Sequence, residues 1–403
     1  MSQIYMDHHA TTPVHPQVLE AMLPYFREHF GNPSSNTHEY GHTARIAVET
    51  ARKQVAELIH AKSPDEIIFT SGATEADNLA LKGMAWAHRD RKSANIITIP
   101  IEHKAVLDAA QRLQKDGVDI RYARIDKYGI VDLQDLENLI DANTILISIQ
   151  AANSEIGTLQ PIADVSRIAK AHSVPFHSDA VQALGRMPVD VQRDAIDMLS
   201  ISGHKMYGPK GVGALYVKKG VRLVPIIDGG GHERGMRSGT LNVPAIVGLG
   251  KAAELAKRDL HSESERLLKL RQRMASAIEQ RIDLVQLNGH PTQRLVNNLN
   301  YAFSYVEGES LILACRGVAL SSGSACTSTS LQSSYVLKAI GVPEHLAHCS
   351  LRFGLGRSNT EEQVDQIVAD LENGVKRLRD MSPLYDMAKE GMDIEHMSWS
   401  HQH

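Results

Sequence analysis

The residues best suited to chemistry stand at the ends of apolar, β-like runs. Ser202-Gly203-His204-Lys205 closes the run 196–201 and opens a loop punctuated by glycine and proline, 206–211. An ammonium is strongly hydrated, so the end of a buried strand is an unusual place for a lysine. Burial there lowers its pKa and frees the amine, which is what a Schiff-base lysine needs. Taken alone, the tetrapeptide reads as a solvated turn, and Lys210 shows how easily such lysines occur. Its partners decide. Ser71-Gly72-Ala73-Thr74, between a predicted strand and a predicted helix, offers backbone amides, a hydroxyl and a helix dipole to an anion. It is not a Walker motif, because the Gly-Lys-Ser/Thr ending is missing. Ile101-Glu102-His103-Lys104 follows the run 95–100, and a histidine there can cap a flat aromatic ligand and shuttle protons. The segment 177–182 brings Asp179, which suits the nitrogen of a cationic heterocycle, to another strand end. Each feature alone is weak. A phosphate cradle, a ring-facing histidine, an acid and a lysine on one predicted sheet edge read jointly as a pyridoxal phosphate site.

A second locus selects the reaction. Residues 321–334 are almost entirely small and polar, with Cys326 near the middle of the loop. Such a stretch buries little, so its cysteine should be exposed and able to reach a reactive thiolate state. Cys315 lies among Leu311, Ile312 and Leu313, and Cys349 alternates with Leu351 and Phe353, so both read as structural thiols. Arg352 has the planar fork that clamps a carboxylate. No Cys-x-x-Cys and no His-Glu-x-x-His occurs among the three cysteines and 20 histidines, so no resident metal is expected.

The elements that must position these residues follow an alternating pattern. Strand-like runs at 66–69, 95–100, 119–124, 144–150, 174–178, 196–201 and 212–217 are separated in several places by helical periodicity, notably at 42–60, 76–87, 103–115 and 161–172. That alternation predicts an α/β domain with a mostly parallel sheet covered on both faces, with ligands at the carboxyl ends of its strands. After a helix at 244–258 and a charged one at 262–281, the pattern changes to a smaller α+β domain. Its expected parts are a strand at 297–305, a helix at 309–316, a strand at 348–355 and a helix at 361–379. With 403 residues, 42% apolar and 22% charged, the chain has the composition of an ordinary globular protein with room for two domains. A net charge of −4 without a long basic stretch leaves no footprint for nucleic acid, and no apolar run reaches the length of a membrane span. The first residues carry no signal or transit pattern, and few cysteines fit a reducing compartment, so a cytoplasmic enzyme is expected.

The motifs together resemble the cysteine desulfurases, the NifS/IscS family of fold-type I pyridoxal phosphate enzymes. They are 7–13 (Asp-His-His-Ala-Thr-Thr-Pro), 30–35 (Phe-Gly-Asn-Pro-Ser-Ser), 70–75, 102–104, 178–182, 202–205, Gly239-Thr240, 322–326 and 352–357, in family order along nearly the whole chain. The resemblance implies the fold-type I transferase fold with a seven-stranded, mostly parallel sheet. It implies an N-terminal segment (1–14) associated with the small domain, a cofactor-binding domain (15–260) and a small domain (261–403) that carries the cysteine loop and a tail (382–403).

By the same resemblance Lys205 holds the cofactor, Asp179 pairs with its ring nitrogen, and His103 stacks on the ring and moves protons. Gln182 bonds the phenolic oxygen; Thr74, Ser202 and His204, with the amide of Ala73, hold the phosphate. Thr240 reaches the phosphate of the other subunit of a homodimer, Arg352 binds the carboxylate of L-cysteine, and Cys326 takes the sulfur as a persulfide, leaving L-alanine. Asn153 and Ser154 fall in the cofactor set too, with a departure. The family reads Asn-Asn-Glu-x-Gly where this chain has Asn153-Ser154-Glu155-Ile156-Gly157, and Ser154 is shorter, so the usual contact with the phenolic oxygen is lost, bridged by water or left to Gln182. Ala151 and Ser333 stand where relatives often have histidine and proline. The implied partners are an IscU-like iron–sulfur scaffold and other acceptors, including carriers for tRNA thiolation. They are reached through the Cys326 loop and a tail that resembles the scaffold-binding tail of IscS, with Cys326 a possible transient ligand of the cluster. Alternatives are a selenocysteine lyase, an aminotransferase of the same fold, and an assembly protein without activity.

Overall fold

Runs of β-branched and aliphatic residues buried on both faces make the strands of the central sheet, as a covered parallel sheet requires. The computed structural model describes residues 3–322 and 333–390. Its main sheet contains β1 (Ile67–Thr70), β2 (Asn95–Thr98), β3 (Asp119–Tyr122), β4 (Thr144–Ser148), β5 (Phe176–Asp179), β6 (Met198–Ser202) and β7 (Gly213–Val217). The spatial order is β1-β7-β6-β5-β4-β2-β3. Pairing is parallel throughout except around β7, which runs antiparallel to both β1 and β6. This is the fold-type I architecture. One face packs on α1 (Glu39–Leu58), the other on α2 (Ala73–Ala87) and α3 (Lys104–Lys115), each through its buried apolar stripe. Helix α4 (Ile162–Ala171) joins the α1 side.

The smaller unit has an antiparallel sheet of β8 (Val285–Leu287), β9 (Asn298–Phe303), β10 (Ser321–Ser322) and β11 (Ser350–Gly354), ordered β10-β11-β9-β8. Behind it lie the far half of α5 (Val243–Arg281) and α6 (Glu361–Arg379). Ile4–Tyr5 pairs in parallel with Val318–Ala319, and Ile4 and Met6 enter the small unit's core.

The two helices expected at 244–258 and 262–281 are one. Helix α5 runs 39 residues, about 58 Å. Its first half is buried in the main core, through Ile246, Leu249 and Ala253, and its second half in the small unit, through Leu267, Met274 and Ile278. The rise in charge near residue 260 marks the change of partner. Nothing there breaks the helix, since its one proline, Pro244, sits in the first turn. Among the described residues no helix is long and apolar enough to cross a membrane.

Candidate active site

A cavity of about 570 Å³ opens at the carboxyl edge of the main sheet. Strand ends supply its wall. Ser71 to Thr74 follow β1, His103 follows β2, and Gln150, Ala152 and Ser154 follow β4. Asp179 ends β5, with Val181 and Gln182 after it, and Ser202 ends β6, with His204 and Lys205 after it. Arg352 enters from β11 of the small unit, and His9 to Thr11 from the N-terminal segment. The cavity therefore lies where three parts of the chain meet.

The anion cradle forms at the start of α2. Gly72 adopts φ +155°, and no side chain caps the helix, so its first-turn amides are open to a ligand. Gly213 in β7 lets this turn press against the sheet; a Cβ there would lie 2.8 Å from the Gly72 backbone. Thr74, Ser202 and His204 line the same end of the site. Burial, then the charges of Lys205 and Lys210, lower the His204 pKa to about 4, so its imidazole is neutral and Nδ1 lies 3.0 Å from Thr11 Oγ1.

Lys205 sits on a short 3₁₀ turn after β6. Its Nζ donates to the carbonyls of His9 (2.5 Å) and Ala10 (2.7 Å), and Thr12 Oγ1 donates to the His204 carbonyl. The N-terminal segment thus braces the lysine turn. His103 caps α3: Nδ1 accepts from Ala105 N at 3.1 Å, which places the ring proton of a neutral imidazole on Nε2.

Three acids, Asp77, Glu102 and Asp179, are buried beside one another at this edge of the sheet. Burial raises the Asp179 pKa on balance, against the opposing pull of His103, the Val181 amide and Lys205. Asp77 on α2 and Glu102 are raised much further, by burial first and by Asp179's charge as well. Of the three, Asp179 is the one whose rise is opposed by the charge of Lys205, so it is the best placed to pair with a cationic group. A ring nitrogen bearing a proton fits that position, a phosphate fits the α2 cradle, and Lys205 is within the same cavity. The residues present fit pyridoxal phosphate.

Ala73, Thr74, His103, Ser154, Asp179, Gln182, Ser202, His204, Lys205 and Arg352 all line this cavity. Asn153 is not among the lining residues. Its Oδ1 accepts from Glu155 N and Ile156 N, and its Nδ2 donates to the Ile101 carbonyl, so the side chain is spent on shaping the turn. Thr240 is exposed and outside the cavity of its own chain. Cys326 lies outside the described residues. The segments flanking it are tied to the rim, with Ser321 in register opposite Arg352 and Tyr335 donating to the Glu102 carbonyl at 2.7 Å. Cys315 is buried, with its thiol pushed up to about 11 by burial; Cys349 is half-buried and also raised by burial.

Arg352 is 4% exposed, donates to Asp7 Oδ1 at 2.8 Å and to the Ser154 carbonyl at 3.2 Å, and keeps Nε unpartnered among the described residues. Asp7 therefore aims the guanidinium. Neither Asp7 nor His9 carries an individual role in the sequence reading. Their signal is the cluster of polar residues at 7–9 beside a short apolar strand, but only the fold brings it against Arg352 and Gln182.

The family model for class-V aminotransferases matches residues 4–367. "Cysteine desulfurase IscS" of Anaeromyxobacter sp. (strain Fw109-5) is 52% identical over 402 residues, 99% of either chain. The cysteine desulfurase of Homo sapiens is 50% identical over 98% of this chain and 87% of its own. A solved structure described as a NifS-like protein is 40% identical and matches with a TM-score of 0.87, over 93% of this chain and all of that one. Another, SspA in complex with cysteine, is 39% identical with a TM-score of 0.79, over 87% and 98% of the two chains.

Proposed function

The chain belongs to the class-V aminotransferases and, within them, to the cysteine desulfurases of the IscS type, and on that premise we propose how its residues take sulfur from L-cysteine. The observation that carries the proposal is one cavity holding Lys205, Asp179, His103 and an open helix N-terminus, closed by Arg352 from the other unit. The cofactor we assign is pyridoxal phosphate, held by Lys205, Asp179, Gln182, Ala73, Thr74, Ser202 and His204. When bound it supplies an electron sink that makes an amino acid's α-hydrogen acidic.

The rest is done by the chain. Arg352, aimed by Asp7, takes the substrate carboxylate through its remaining donors. Lys205 Nζ receives the α-proton, and His103, with its proton on Nε2, passes protons beside it. The Cys326 thiolate attacks the substrate sulfur. A sulfur–sulfur bond forms, the substrate's carbon–sulfur bond breaks with its electron pair staying on carbon, and protonation of that fragment leads to L-alanine. Cys326 is left as a persulfide for an acceptor. A loop of small residues between anchored ends suits both positions that Cys326 must reach.

We assign a homodimer in which Thr240 completes the partner's phosphate site. The exposed apolar side chains Leu19, Leu23, Phe26, Phe30, Tyr40 and Ile46 support such an interface. Iron–sulfur scaffolds and other sulfur carriers are the proposed acceptors.

The test combines spectroscopy with mass analysis. Purified protein should show the absorbance of a lysine-bound cofactor, change spectrum with L-cysteine and release alanine. Lys205→Ala should lose both absorbance and turnover. Cys326→Ser should bind cofactor and substrate and form no protein persulfide. Borohydride trapping on Lys210, or a wild-type persulfide on Cys315 or Cys349, would overturn the assignment.

A further inference from the structure

His9 is 2% exposed and lines the cavity, yet no role has fallen to it. Its ring Nδ1 lies 2.9 Å from Gln182 Oε1, and Gln182 Nε2 donates back to the His9 carbonyl at 3.1 Å. These two contacts fix each other's polarity. If the glutamine amide were reversed, its oxygen would face the His9 carbonyl, acceptor against acceptor. With the amide as found, Oε1 needs a donor, and the neutral imidazole supplies it from Nδ1. Burial, together with the charges of Arg352, Arg186 and Lys205, keeps that imidazole neutral, so it carries one proton only.

We propose that His9 is a positioning residue that locks the Gln182 amide with its second N–H available to the cavity, so that this N–H reaches the cofactor's ring oxygen. The proposal rests on the pyridoxal phosphate reading above. It has particular weight in this chain, because Ser154 is short and the Asn153 side chain is committed to backbone groups. Gln182 lines the cavity and, with one N–H on the His9 carbonyl, has a second to give. When Lys205 leaves the His9 carbonyl to engage the cofactor, the Gln182 donor keeps that carbonyl satisfied.

The readout is the pH titration of the bound cofactor's absorbance, with the cofactor dissociation constant measured beside it. A donor at the ring oxygen stabilises its anionic form, so losing that donor should raise the titration midpoint. His9→Ala should raise it by about one pH unit and weaken cofactor binding by about tenfold. His9→Asn, whose Nδ2 branches from the same Cγ position as the imidazole Nδ1, should restore most of both. Gln182→Leu should match His9→Ala, and the double variant should add nothing further.

An unchanged midpoint in His9→Ala overturns the proposal. So does a failure of His9→Asn to rescue, or an additive double variant. If His9→Ala does not fold, Gln182→Leu decides from the other side of the contact, and an unchanged midpoint there is equally fatal. A wild-type protein that takes up no pyridoxal phosphate overturns the functional reading itself. A wild type that titrates normally, with silent variants, removes only the role of His9.

Discussion

Three carboxyls buried at one strand edge cannot all ionise. His177, one turn of the pleat before Asp179, contacts Ser148 Oγ at 2.8 Å and Ser200 Oγ at 3.0 Å, and lies 3.7 Å from Asp77 Oδ1. Burial lowers the His177 pKa to about 3, so it brings Asp77 no positive charge, and burial plus Asp179 keeps Asp77 protonated. The sign of the linkage follows. Below about pH 4 an aspartate is protonated in folded and unfolded chains alike. Above it the unfolded chain loses the proton and the folded one keeps it, so stability falls as pH rises, at most by about 1.4 kcal/mol per pH unit. Asp77→Asn removes that dependence. Its thermal midpoint relative to wild type should improve as pH rises above about 4, and a difference that stays constant or shrinks would refute a neutral Asp77. The sequence displayed Asp179 and Lys205 through strand-end position. Asp77 was hidden within the helical run 76–87, because adjacency across a sheet leaves no mark in local spacing.

At the scale of elements, the loop carrying Gly239 and Thr240 is anchored from below. Arg52 on α1 makes a bidentate pair with Glu233 (2.7 and 2.8 Å), and Glu233 also accepts from the amide of Phe69 in β1 at 2.7 Å. Glu233 and Arg234 hold left-handed backbone angles (φ 48° and 56°), a conformation that costs on the order of 1 kcal/mol per residue unless the surroundings impose it. The pair is nearly excluded from solvent, with side chains 3% and 1% exposed. Removing one partner leaves a buried charge uncompensated. Arg52→Met should therefore destabilise the protein by about 3–5 kcal/mol, and Arg52→Met/Glu233→Met by clearly less. Denaturation midpoints of the two variants decide it; equal losses would mean that the ion pair does not organise the loop. Periodicity showed α1 and its apolar face in the sequence. It did not show Arg52 as a buried member, since a helical arginine reads as solvated until Glu233, far along the chain, closes on it. The same limit split α5 in two: a composition change was visible, while the continuity of the helix past residue 260 depended on a second core waiting for its far half.

At the scale of the whole molecule, one helix outside both cores bears on delivery. Helix α7 (Pro383–Lys389) begins with Pro383 at its first position, and none of its residues is buried. Leu384, Tyr385, Met387 and Ala388 are half-buried, and the Tyr385 ring centre is 5.8 Å from that of Tyr305 and lies beneath the Arg379 guanidinium and the Lys389 ammonium. Half-buried contacts of this kind contribute little to folding, because the small unit's core is closed by α6 through Val364, Ile367, Val368 and Leu371. The cavity draws no residue from α7. Residues 391–403, with Met392, Ile394, Met397 and Trp399, lie outside the described residues, and their Met and aromatic content suits contact with a partner. Chemistry and delivery should therefore separate. Truncation after Ser382 should leave alanine release with dithiothreitol as acceptor near the wild-type rate, with the thermal midpoint little changed. Persulfide transfer to an iron–sulfur scaffold protein should fall by at least about tenfold, the loss expected when roughly 1.4 kcal/mol of docking energy is removed. Both rates are measured on the same preparation. A parallel fall in the two, with a lower thermal midpoint, would mean that the tail braces its own subunit, because a brace supports every activity of the fold equally and a docking segment supports only transfer.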